Sequence, residues 1–150
     1  MDAFALGMRR RQAKRVWMVL AALVPLCWAG GEIGYGILHA NGAALVRPFL
    51  TAAAVLVMAM FVGRRFLIVR WKGPSPPDAE TGEAIARKAF GYLYLAWGIA
   101  VLWALLGLGL LLAGGVPRRM PYVFEAIAAV YFLVYFPRRS FFGVLLWSKF

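Results

Sequence analysis

AFGYLYLAWGIAVLWALLGLGLLLAG, residues 89–114, runs for 26 positions without one charged side chain. As a helix rising 1.5 Å per residue it would be about 39 Å long, more than the roughly 30 Å hydrocarbon core of a bilayer. Lipid offers no water to an open peptide group, so such a run crosses as a helix that satisfies its own backbone. Three more apolar runs flank it, at about 16–38, 43–63 and 120–136. The last is the shortest, and it can still cross if Arg118, Arg119, Arg138 and Arg139 extend their stems along the apolar surface towards the headgroups.

Composition points the same way. Of 150 residues, 63% are hydrophobic and 15% charged, and the mean hydropathy is +0.75, whereas soluble domains carry about a quarter charged residues. A soluble domain is excluded. The expected fold is an all-α integral membrane protein, one bundle over 1–150 with four transmembrane helices arranged as two helical hairpins. A cytoplasmic linker is expected at about 64–88 and an interfacial tail at 137–150. The opening basic leader (Arg9, Arg10, Arg11, Lys14, Arg15) resembles that of a signal peptide, but the apolar stretch continues past Cys27-Trp28-Ala29, and we read a retained first span.

Orientation follows from the cations. Fourteen of the 17 Lys and Arg residues fall in the leader, the linker and the tail, against Arg47, Arg118 and Arg119 on the other side. The positive-inside rule then puts both termini in the cytoplasm, and the expected location is a bacterial cytoplasmic (inner) membrane. The net charge of +11 lies at the ends of apolar runs, so anionic membrane lipids are the expected partners and nucleic acid is not. Cys27 is the single cysteine, which excludes an intrachain disulfide or a cysteine metal site.

Within the linker, Gly73-Pro74-Ser75-Pro76-Pro77 is a stretch that no helix crosses. Asp78, Glu80 and Glu83 followed by Arg87-Lys88 suit the dipole of a helix restarting at about 78 and feeding directly into the third span. A half-repeat is also visible. Lys14-Arg15 precedes Pro48 by the same interval at which Arg87-Lys88 precedes Pro121, and the even-numbered spans close on Arg64-Arg65 and Arg138-Arg139. Two readings stay open: a parallel internal duplication, or two hairpins that acquired basic ends independently.

Candidate chemistry gathers on the outer side. Glu32, in Gly30-Gly31-Glu32-Ile33-Gly34-Tyr35-Gly36, would cost a few kcal/mol to bury without compensation. It is either a proton, cation or polar-substrate site, or a carboxylate neutralised by a bundle arginine or a proton. Glu125 lies four residues after Pro121, in the opening turns of the fourth run, where the helix dipole alone would favour it. Glu32, His39, Asn41, Arg47, Arg118, Arg119 and Glu125 all fall near one membrane face, and His39 shares a helical face with Glu32. This set has neither metal-ligand spacing nor the second histidine of a bis-histidine haem, so no cofactor is expected. Ser75, Ser140 and Ser148 lie on the cytoplasmic side, away from His39, so no hydrolytic triad assembles. Gly30 and Gly34 form a small-xxx-small pair, and Gly107 thins the third span; these are read as helix-packing positions. Tyr122 and Trp17 are read as interfacial anchors.

Phe61-Val62-Gly63-Arg64-Arg65-Phe66 and Tyr135-Phe136-Pro137-Arg138-Arg139-Ser140-Phe141 close the even-numbered spans. In this the chain resembles the GtrA-like family of small four-span membrane proteins. That resemblance implies flipping or handling of polyprenyl-linked sugars. Three functional readings follow: a non-enzymatic bundle acting as a subunit or scaffold of a larger membrane assembly, with a protein partner or as a homo-oligomer; a small transporter or flippase; and, last, a lipid-modifying enzyme. Topology gives the first test. A cysteine placed at Ser75 should be shielded from an impermeant thiol reagent added outside intact cells, and one placed at Asn41 should react; the opposite pattern would invert the topology.

Overall fold

The computed structural model describes residues 3–38, 41–67 and 79–137, and among these it contains four helices and no strands. They are α1 (Ala3–Ile33), α2 (Gly42–Leu67), α3 (Ala79–Ala113) and α4 (Arg119–Val134). Three are long and apolar enough to cross a membrane: Met8–Ile33 in α1, Gly42–Val62 in α2 and Glu83–Ala113 in α3. α4, with 16 residues, rises about 24 Å. The helix expected to restart near 78 begins at Ala79 and runs unbroken into the apolar stretch. Residues 68–78 and 138–150, which hold the proline breaker and most of the tail, lie outside the described residues.

α3 is the hub. It packs against α1, α2 and α4, and α1 also touches α4; among the described residues α1 and α2 make no close backbone approach to each other, nor do α2 and α4. The two hairpins are therefore packed differently, since α3 and α4 pair directly while α1 and α2 are joined through α3. Lipid tails are as apolar as the side chains, so what holds helices together here is close packing and hydrogen bonding rather than exclusion of water. α3 supplies both. Tyr92, Leu93, Trp97, Leu110 and Leu111 are fully buried, and Ala96, Ala100 and Ala104, one turn apart, let neighbours come close. One core gathers Ala53, Met60, Trp103, Phe124 and Ala128 between α2, α3 and α4; the other joins Ala13, Phe90, Trp97 and Phe132 between α1, α3 and α4. On α3 the positions Gly91, Tyr94, Gly98, Leu102 and Leu105 form a stripe left open.

The first span is shorter than the apolar run predicts. Instead of continuing to 38, α1 stops at Ile33 and residues 34–38 form turns. The cause lies at the end of α3, whose last carbonyls have no partner within their own helix. The Gly36 N–H donates to the Leu111 carbonyl at 3.0 Å and the Leu38 N–H to the Leu112 carbonyl at 3.1 Å. Gly36 reaches this position with φ +70°, and Gly114, which follows α3, also takes φ +70°. Both lie in the left-handed region that glycine enters at little cost. Gly42, at the start of α2, lies so close to the Gly114 carbonyl that no side chain fits between them.

The packing glycine of α1 is Gly31 rather than Gly30. A Cβ at Gly30 would meet nothing within 4 Å, because that face is open, whereas one at Gly31 would lie 2.5 Å from Leu111 Cδ1 and one at Gly34 2.6 Å from Leu112 Cδ2. The helix rotates about 100° per residue, so a one-residue error in register turns a contact face into an open one. At the opposite end, α4 is closed by side chains. Trp17 Nε1 donates to the Phe132 carbonyl at 2.8 Å, Trp97 Nε1 to that of Tyr135 at 3.0 Å and Arg10 Nε to that of Pro137 at 3.2 Å. Trp17, read as an interfacial anchor, is thus a helix cap as well.

These contacts predict a sharp contrast in thermal unfolding in detergent. Gly42→Ala should destabilise the bundle by about 1–3 kcal/mol, since backbone must move to admit the methyl group. Gly30→Ala should be neutral or stabilising by up to about 1 kcal/mol, as expected for replacing an unencumbered helical glycine.

Candidate functional site

The end of α1 meets the start of α4 through Glu32. Its Oε1 accepts a hydrogen bond from the Tyr122 hydroxyl, and its Oε2 lies 3.5 Å from Arg118 Nη1. The Arg118 guanidinium also stacks over the Tyr35 ring, 4.7 Å from its centre, and the Tyr35 hydroxyl donates to the Val116 carbonyl at 3.3 Å. Each member comes from a different piece of backbone: Glu32 from the last turn of α1, Tyr35 from the turn after it, Arg118 from the cap position of α4 and Tyr122 from its first turns. Among the two readings open for Glu32, the geometry is that of a carboxylate partnered by an arginine.

The other predicted members are placed elsewhere. Arg47 and Arg119 are exposed, and among the described residues neither makes an ion pair; the Arg47 backbone carbonyl accepts from Thr51 Oγ1. His39 lies outside the described residues. Tyr122, expected as an interfacial anchor, also donates a hydrogen bond to Glu32, and Tyr35 joins the cluster without having been expected there. The signal in the sequence is their position: both are hydroxyl-bearing aromatics within a few residues of Glu32 or Arg118.

Glu125 departs furthest from expectation. α4 begins at Arg119, so Pro121 is its third residue and Glu125 its seventh, with no acidic residue in the first turn. The dipole effect fades within that turn and does not account for Glu125. Its side chain is instead buried, 6% exposed, and neither carboxyl oxygen has a hydrogen-bond partner among the described residues. A notch admits it: a Cβ at Gly107 would lie 3.0 Å from Glu125 Oε1 and 3.2 Å from its Cγ. Gly107 therefore packs against α4 by making room for a carboxyl group.

Two cavities complete the picture. On the side of the basic leader, about 340 Å³ is bounded by Arg9, Gln12, Arg87, Phe90, Gly91 and Tyr94. Glu83 bridges its two arginines, 3.3 Å from Arg9 and 3.5 Å from Arg87. A second, almost wholly apolar cleft of about 300 Å³ opens over α3 between α2 and α4, lined by Leu50, Ala53, Trp103, Val123, Phe124 and Ile127 among others. No group of three potential metal ligands occurs among the described residues.

The Glu32 cluster makes a quantitative prediction. Glu32→Gln and Tyr122→Phe, singly and together, should show a favourable coupling in a double-mutant cycle on detergent unfolding, larger than that between Glu32 and Arg118. Arg118→Gln should cost less than about 1 kcal/mol, because Arg118 is more than half exposed and screening weakens the pair. Equal costs would mean that the ion pair, not the hydroxyl, latches α1 to α4.

Comparison with protein-family models, with characterised proteins and with solved structures finds no match to this chain, so its functional reading stands on its own geometry.

Proposed function

We propose that the chain is a four-span, non-enzymatic bundle of a bacterial inner membrane, with both termini cytoplasmic, that serves as a subunit or scaffold of a larger membrane assembly. The fourth span is supported by matched depth. Lys14 Nζ lies over the Phe136 ring and Glu32 pairs with Arg118. The two partners on α1 are 18 residues apart, about 27 Å of helix, and their two partners, also 18 residues apart, flank the 16 residues of α4. α4 is thus level at both ends with the apolar part of α1. The matched basic ends support a duplicated origin for the hairpins, while their different packing counts against it.

The observation that carries the scaffold reading is the cleft beside α2. Among the described residues the α2 backbone packs closely on α3 alone, and the cleft that this leaves against α4 has walls of branched and aromatic side chains, with Leu50 and Val123 exposed at its mouth. A transmembrane helix of a partner chain, or of a second copy, would cover both walls and so fix α2, which among the described residues comes close to α3 alone in its backbone. Anionic lipid is the proposed second partner, at the basic end, where Arg9 and Arg87 border the cavity next to Phe90 and Tyr94.

A small transporter or flippase, as the GtrA-like resemblance implies, is the alternative reading. Glu125 favours it, because an ionisable group inside a transmembrane bundle is a functional position by default. A photo-crosslinking residue at Leu50 or Val123 in native membranes should give protein adducts, with a partner or a second copy, and one at Val19 on the far helix should not. Lipid adducts alone at all three sites would defeat the scaffold reading.

A further inference from the structure

A buried carboxylate needs a cation or hydrogen-bond donors, and Glu125 has neither among the described residues. In surroundings this apolar the charged form is strongly disfavoured, whereas the acid form removes the charge altogether. The elements around it offer no substitute. α1 contributes Cys27, a titratable group that faces Glu125 and a poor donor; α3 contributes the bare notch at Gly107 and, one turn away, the Trp103 indole, whose buried N–H makes no hydrogen bond to Glu125; and α4 itself places Phe124 and Ala128 alongside. Tyr122, one turn away on α4, already donates its hydroxyl to Glu32. We propose that Glu125, seated in the Gly107 notch, is a proton-binding site within the membrane part of the bundle. It takes one proton from bulk water to become the carboxylic acid, and returns that proton only when α4 moves off α3 or water enters between them. The site is independent of the partner reading, since every residue in it belongs to this chain.

Infrared spectroscopy of the full chain in lipid vesicles, titrated over the range in which it stays folded, tests this. The carbonyl stretch of a protonated carboxylic acid should be present at low pH, diminish as pH rises, and be absent from Glu125→Gln at every pH. Gly107→Ala, which crowds the notch, should shift that titration. If Glu125→Gln does not fold, a lipophilic carbodiimide on the wild-type protein assigns the band, because loss of the band should accompany added mass on Glu125. Absence of the band, its persistence unchanged across the whole range, or its loss with mass added only to another carboxyl group would each overturn the proposal. The measurement needs no partner chain, so its failure would leave the cleft reading standing, and lipid-only crosslinks would leave this one standing.

Discussion

Two backbone hydrogen bonds, from Gly36 to Leu111 and from Leu38 to Leu112, hold the end of the bundle where α3 stops, and most of the architecture there follows from them. A helix that ends near hydrocarbon leaves carbonyls that neither its own backbone nor lipid can satisfy. α3 solves this with the chain that joins α1 to α2, which must therefore leave the helical path at Ile33, turn through a left-handed glycine and pass against Gly114. The same problem at the far end of α4 is solved by two indoles and a guanidinium reaching the Phe132, Tyr135 and Pro137 carbonyls. Both solutions are made between helices, so they order the bundle as well as complete the backbone.

The two acidic residues Glu32 and Glu125 divide along the same line. Glu32 has both oxygens engaged and remains partly exposed, with Tyr122 and Arg118 tying the end of α1 to the start of α4. Glu125 lies one turn beyond Tyr122 along α4, yet has no hydrogen-bond partner among the described residues. What separates them is the neighbour each meets: a hydroxyl and a guanidinium at the rim in one case, a glycine notch between helices in the other. A carboxyl group in the first setting is a latch. In the second, its protonation is linked to how tightly α4 sits on α3.

α2 stands apart in this scheme. Among the described residues its backbone comes close to α3 and to neither α1 nor α4. An element so lightly held is the part of the bundle that a partner would most readily engage, whereas the α1, α3 and α4 core is closed by its own hydrogen bonds.

Hydrophobic run length, a local property, was enough to determine from the sequence an all-helical chain with helices long and apolar enough to cross a membrane, and the restart near 78 of a helix that feeds into the third run. The hub role of α3, the choice of Gly31 over Gly30 and the opposite fates of Glu32 and Glu125 were decided only by tertiary structure. The physical reason is rotational. A helix 100° out of register presents a different residue to its neighbour, and in an apolar run almost every register looks equally plausible until the neighbouring helix is in place. Glu125 shows the consequence most plainly, because the feature that gives it meaning is the missing side chain of Gly107, eighteen residues earlier and on another helix.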